Sequence, residues 1–175
     1  MKSWLAQLCA ALALAGCGAG DGISAKDSVP LNAYLQIWKP IQNDCFSALD
    51  GNGQPYFYKE YGLELALQDL TTVYQFFSDA TCAVMVGDLA LRYDLTWQIS
   101  PLGTQPRFVK IDAFNGRAIR SDFLNAQVPD IAIVTTYKDI LFTRDGLLYA
   151  ADPTAPYDAQ GFPSAIHPVA LFFAQ

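Results

Sequence analysis

Leu91-Arg92-Tyr93-Asp94-Leu95-Thr96-Trp97-Gln98-Ile99 alternates without a break. Leu91, Tyr93, Leu95, Trp97 and Ile99 fall on one face of an extended chain, and Arg92, Asp94, Thr96 and Gln98 on the other. Successive side chains of a strand point to opposite faces, so a period of two reads as a half-buried strand. Ser100-Pro101-Leu102-Gly103 then supplies a stop. Such a strand needs neighbours, and the flanking sequence offers them. Arg107–Phe114 alternates more loosely and runs into Asn115-Gly116, a turn signal. Ile131–Thr136 reads as another strand. Ile140–Thr143 and Leu147–Ala151 flank Arg144-Asp145-Gly146 in the manner of a tight hairpin, and Val169–Ala174 closes the chain.

Two segments carry mixed signals. Over Tyr61–Phe77, Leu63, Ala66, Leu67, Leu70, Tyr74 and Phe77 fit a helical stripe. Leu65 and Phe76 would then sit on the polar face, and Thr71–Phe77 is a β-branched and aromatic run. A hairpin turning near Gln68-Asp69 is the preferred reading. Gly116–Val128 has helix-like spacing and reads as a short helix or an insertion between strands. The expected fold is mainly all-β: a small antiparallel barrel or sandwich of about seven or eight strands, with room for one short helix and one disulfide.

Composition sets the outer bounds. The chain has 175 residues, a hydrophobic content of 52%, a charged content of 16% and a net charge of −6. That is core-forming material for one domain, not a disordered chain. The acidic balance, without a Lys/Arg cluster, argues against nucleic acid as a partner.

The N-terminus is organised differently. Residues 1–16 have a positive start at Lys2, an apolar stretch from Trp4 to Leu14, and small residues before Cys17. This is the layout of a secretory signal, too short in its apolar part to span a bilayer as a stable helix. Leu14-Ala15-Gly16-Cys17 resembles the lipobox of bacterial lipoproteins, in which cleavage precedes a Cys that receives diacylglycerol. The alternative is ordinary secretory cleavage near Gly20, with Cys17 discarded. Residues 17–33 are small and polar and read as a flexible tether, with a root-mean-square reach of roughly 20–24 Å. A single domain is expected over 34–175. The resemblance implies a lipid-anchored protein of the cell envelope, and Gly18 in place of Asp after the Cys implies the outer membrane.

Removal of residues 1–16 takes away Lys2 and Cys9, so the charge moves from −6 to −7. Cys45 and Cys82 remain as an even pair in an oxidising compartment, which reads as a disulfide. Two buried free thiols are the alternative. Neither C-x-x-C spacing nor a neighbouring His suggests a metal or redox role for them.

Trp38…Cys45, a hairpin, and Phe77-Ser78-Asp79-Ala80-Thr81-Cys82 resemble the pattern of a class of proteobacterial lipoproteins with a lipocalin-like barrel. Leu147-Leu148-Tyr149 and Gly161-Phe162-Pro163 are similar to later elements of the same class. The Gly-x-Trp signature of lipocalins proper is absent, since Ile37-Trp38-Lys39 lacks the Gly. The resemblance implies a barrel able to enclose a small apolar ligand.

Catalytic material is sparse. His167 is the single histidine, with Ser164 three positions before it, and it sits in a proline-flanked loop. No G-x-S-x-G, H-E-x-x-H or P-loop occurs. Asp50-Gly51-Asn52-Gly53-Gln54 begins like a calcium loop, but its sixth and twelfth positions are Pro55 and Tyr61. A Gly-rich turn accounts for it. Glu60 and Glu64, on one face of a strand about 13 Å apart, are expected to be solvated and too distant for glycoside chemistry. Asp79, Asp88, Asp112 and Asp152 are expected at turns and strand ends. No enzyme, metal or cofactor is expected. The aromatic load remains: Tyr56, Tyr58, Tyr61, Tyr93 and Trp97 are candidates for a ligand-lining or partner surface, with core packing as the plainer account. The expected function is non-enzymatic binding of a partner protein or a small apolar ligand. An accessory subunit of an envelope assembly, or an inhibitor of a basic cell-wall enzyme such as lysozyme, is the alternative.

Overall fold

A computed structural model describes residues 31–99, 108–124 and 129–175. The leader 1–16, Cys17, the tether up to residue 30, and the stop Ser100–Gly103 lie outside the described residues. A 3-10 turn at Leu31–Ala33 leads into nine strands. These are β1 (Ile37–Pro40), β2 (Phe46–Leu49), β3 (Pro55–Leu65), β4 (Asp69–Phe77) and β5 (Met85–Ile99). Then follow β6 (Val109–Phe123), β7 (Tyr137–Arg144), β8 (Leu147–Tyr149) and β9 (Phe172–Ala174).

All pairings are antiparallel, and the sheet closes on itself. From β3 to β9 each strand pairs with the next, and β1 pairs with both β9 and β3. Eight strands thus form a closed meander barrel. β2 is extra, bonded to the first half of β3, while β1 takes the second half at Leu63 and Glu64. Closure leaves the barrel itself without a free edge.

The expected hairpins are present. β3 and β4 turn at residues 66–68, so Tyr61–Phe77 is extended rather than helical. Between β7 and β8, Asp145 and Gly146 both take positive φ, 54° and 74°. Two such residues make the tight turn whose twist suits a hairpin. The alternation of Leu91–Ile99 holds within the longer β5: Leu91, Tyr93 and Leu95 are buried.

Three expectations are corrected. Asn115-Gly116 does not end its strand, and the described part of Gly116–Val128 is neither helix nor insertion, since β6 runs on to Phe123, while residues 125–128 lie outside the described residues. Asn115 takes a φ of 55°, and the register with β5 shifts between the Arg92 and Asp94 pairs. The turn-forming dipeptide is used as a β-bulge, which bends a strand without stopping it. Gly116 is required there, since a Cβ would lie 2.4 Å from the Tyr93 ring and 2.7 Å from the Val134 carbonyl oxygen. Nor is Ile131–Thr136 a strand. Its neighbourhood is tied at separated points: the Asp130 carbonyl accepts from Gly51 N–H and the Thr135 carbonyl from Gly116 N–H. Two isolated bonds do not make a ladder. Among the described residues no α-helix occurs.

The core follows from closure. Tyr34 and Trp38 are fully buried at one end, where Trp38 Nε1 donates to the Tyr34 carbonyl at 3.0 Å. The Tyr34 and Trp97 rings lie 6.2 Å apart at the same end. Val109, Ile111 and Leu148 fill the adjoining interior. Outside, the long connection from β8 to β9 folds over β6 and β7. Its Phe162, 1% exposed, lies under the Lys110 and Lys138 amines, 4.6 and 4.8 Å from the ring centre. Cys45 and Cys82 form a disulfide that ties the start of β2 to the β4–β5 connection. In the loop-entropy description, closure of a loop this long stabilises by roughly 4 kcal/mol.

Candidate functional site

At the end of the barrel away from Trp38 the interior is not filled. A cavity of about 640 Å³ lies between β3, β4, β5, β7 and the segment 129–136. An eight-stranded barrel is just wide enough either to pack solid or to enclose a small cavity, and this one encloses a cavity between those strands. Leu63, Leu70, Ile111, Leu141 and Phe172 make its apolar floor and wall. Ile131, Ala132 and Val134 form the side where β7 to β9 are short. Val134 is 61% exposed, so the cavity meets solvent at this rim.

A second β-bulge decides which polar groups face inward. The β3–β4 register shifts between Glu60 and Gly62. Before the shift the even residues Tyr56, Tyr58 and Glu60 line the cavity, and after it the odd residue Leu63 does. Glu64 is exposed. Glu60 and Glu64 therefore lie on opposite faces, and the expectation of a solvated pair on one face is overturned for Glu60. Its Oε1 accepts from Thr72 Oγ1 at 3.3 Å. Burial pushes its carboxyl up, opposed by the Thr72 bond.

Asp139 enters from β7. Its Oδ1 accepts from the backbone N–H of Ile140 at 2.7 Å and of Ala151 at 3.1 Å. Burial nevertheless pushes its carboxyl up to about 6. Desolvation outweighs two backbone bonds, with no cation among the described residues acting on the charge. Around these acids stand Tyr58, Tyr74, Tyr93 and Tyr137. Tyr58 and Tyr74 meet edge to face at 6.0 Å, and Tyr93 and Tyr137 at 5.1 Å. Burial pushes the Tyr74 phenol up to about 12, with Glu60 adding to it. The Tyr137 phenol is raised by burial, then by Asp139, and more weakly by Tyr74, Tyr93 and Glu60. The two carboxyls and these phenols thus share one electrostatic neighbourhood.

Of the aromatic candidates from the sequence, Tyr56, Tyr58 and Tyr93 line the cavity. Tyr61 is the bulged residue and faces outward, 51% exposed, with Lys39 Nζ 3.9 Å from its ring centre. Trp97 packs at the filled end and donates from Nε1 to the Leu67 carbonyl at 3.0 Å. The other acids named above do local work. Asp50 accepts from Asn52 and Gln54 N–H in the β2–β3 turn. Asp79 bonds the Thr81 hydroxyl and the Val84 N–H, which hold its carboxyl down at about 2. Asp152 caps Thr154, Asp88 pairs with Arg120, and Asp112 with Lys138. His167 Nδ1 faces the Val169 backbone, and neither it nor Ser164 lines the cavity. Among the described residues no group of three His, Cys, Asp or Glu is placed to hold a metal ion.

Sequence reasoning missed Asp139, Tyr74 and Tyr137. The local signal was a charged residue within an apolar strand, Asp139 just before Ile140-Leu141-Phe142. Comparison with known proteins gives no match: no family model, no curated protein and no solved structure is recognisably similar to the chain.

Proposed function

We propose that this chain is a non-enzymatic lipoprotein of the cell envelope, anchored through lipidated Cys17, whose barrel carries a small apolar ligand. The cavity is the observation that carries this reading. Its 640 Å³ lies in the range of small-molecule sites, and its lining is apolar and aromatic with a few convergent polar groups. The outer face suits water rather than lipid: Arg92 pairs there with Asp69, Lys110 with Asp158, and Lys138 with Asp112. A barrel embedded in lipid has the reverse arrangement, apolar outside. On this reading, membrane attachment rests on the N-terminal lipid, and Gly18 favours the outer membrane. The lipocalin-like resemblance of residues 36–173 points the same way.

An environment-sensitive fluorescent lipid tests it. Uptake with a blue-shifted emission, and displacement by unlabelled apolar competitors, is the expected result. Failure of a whole panel of fatty acids, isoprenoids, dyes and apolar amines would leave the second reading, supported by the acidic balance of the chain. There the outer surface engages a basic envelope protein by electrostatic steering. Inhibition of lysozyme by excess protein is its check.

A further inference from the structure

The cavity's charge is one-sided. Glu60 and Asp139 both open into it, and among the described residues lining it none is Lys, Arg or His. Glu60 Oε2 and Asp139 Oδ2 take no hydrogen bond among the described residues, whereas Asp139 Oδ1 is fixed by two backbone N–H groups. Of the other acids on the described strands, Asp69 and Asp94 are matched by Arg, Asp112 by Lys and Asp88 by Arg120, while Glu64 and Asp122 are exposed to water. A folded chain gains nothing from drawing two half-buried carboxyls into an apolar cavity without a counter-charge, since desolvation opposes it. The cost is recovered when a cation arrives. The surrounding rings add to this, because Tyr74 and Tyr137 present π faces and edges around the same space, and aromatic faces attract cations. The apolar floor of Leu63, Leu70 and Ile111 requires the rest of that cation to be hydrophobic.

We propose that the ligand of this cavity is an apolar or aromatic amine, bound as its cation by Glu60 and Asp139, with its hydrocarbon body on the barrel's apolar floor. This deepens the ligand-carrying reading and rests on it. The amine stands in the place that a lysine or arginine takes in the surface pairs. Selectivity follows from the same groups: a neutral analogue leaves both acids unpaired, and a fatty acid adds a third carboxyl to them.

Naphthylmethylamine and naphthalenemethanol share one ring system and differ in a protonated amine against a hydroxyl. Titration of the full-length protein with each at pH 7.5 is the test. The amine is expected to bind about tenfold tighter or more, the worth of one charge-assisted hydrogen bond. Combined Glu60→Gln and Asp139→Asn should bring the amine to the level of the alcohol and leave the alcohol unchanged. Should that variant fold poorly, the wild type at pH 5 replaces it. Protonation of Asp139 must then shrink the preference. Equal binding of amine and alcohol by the wild type overturns the proposal while the ligand-carrying reading stands. Binding of neither overturns both. An amine preference that survives the double substitution overturns the assignment to these two acids.

Discussion

Two oxygens divide the work of Asp139. Oδ1 accepts both the Ile140 and the Ala151 N–H and so fixes the start of the β7–β8 hairpin, while Oδ2 is left to the cavity. The carboxyl titrates near 3.8 in an unfolded chain and at about 6 in the barrel, raised first by burial. A raised pKa means that the folded state holds the proton more tightly. The stability this gives is full below about pH 4 and is lost as pH rises through about 6. The loss across that window is on the order of 3 kcal/mol at about 1.4 kcal/mol per pH unit, of which about 2 kcal/mol falls between pH 4.5 and 7.5. Asp139→Asn keeps an oxygen for both N–H donors and removes the titration. Urea unfolding at pH 4.5 and 7.5 should show the wild type losing stability relative to the variant by that amount. A constant difference between the two proteins would refute the assignment.

Bulges, more than strand composition, set which side chains the barrel encloses. In β3 the extra residue Tyr61 throws Glu60 inward and Glu64 outward. In β6 the Asn115-Gly116 bulge lets one strand continue where a turn was expected, and it brings the backbone against Tyr93 and Val134. Gly116→Ala places a methyl 2.4 Å from the Tyr93 ring and 2.7 Å from the Val134 oxygen. The second contact is backbone, so the 129–136 wall has to shift along with the ring. A destabilisation of about 1–3 kcal/mol is expected, with altered quenching of any probe held in the cavity. Thermal unfolding followed by circular dichroism checks the first part. An unchanged midpoint would show that the bulge tolerates the methyl.

Across the molecule, the proposed attachment and binding parts are separable. The described domain begins at Leu31, fourteen residues beyond Cys17, and its outer face is charged. On the proposed reading a single lipid-modified residue carries the membrane association, and its loss should not touch the barrel. Cys17→Ser is expected to move the protein to the soluble fraction of the envelope. Labelling by a radioactive fatty-acid precursor should disappear with it, while the Cys45–Cys82 disulfide and the probe affinity persist. Retention of the label in the variant would end the lipobox reading.

An antiparallel barrel or sandwich of about seven or eight strands, a hairpin turning near Gln68-Asp69, another at Arg144-Asp145-Gly146, and the cysteine pairing were legible in the sequence. Each rests on a short-range rule: alternation at two residues, a positive-φ dipeptide, an even number of thiols. The same local rules misread Asn115-Gly116 and Ile131–Thr136, because a bulge and a turn share their dipeptides and a wall segment alternates like a strand. What the sequence by itself determined is therefore the class of fold and its staples. Only the tertiary structure decided that Glu60, Asp139, Tyr74 and Tyr137 stand around one cavity. Those residues come from three strands, and their inward direction depends on a register shift and on β1 closing the sheet against β3 and β9. Register is a property of paired strands, and one residue's slip turns every later side chain to the other face.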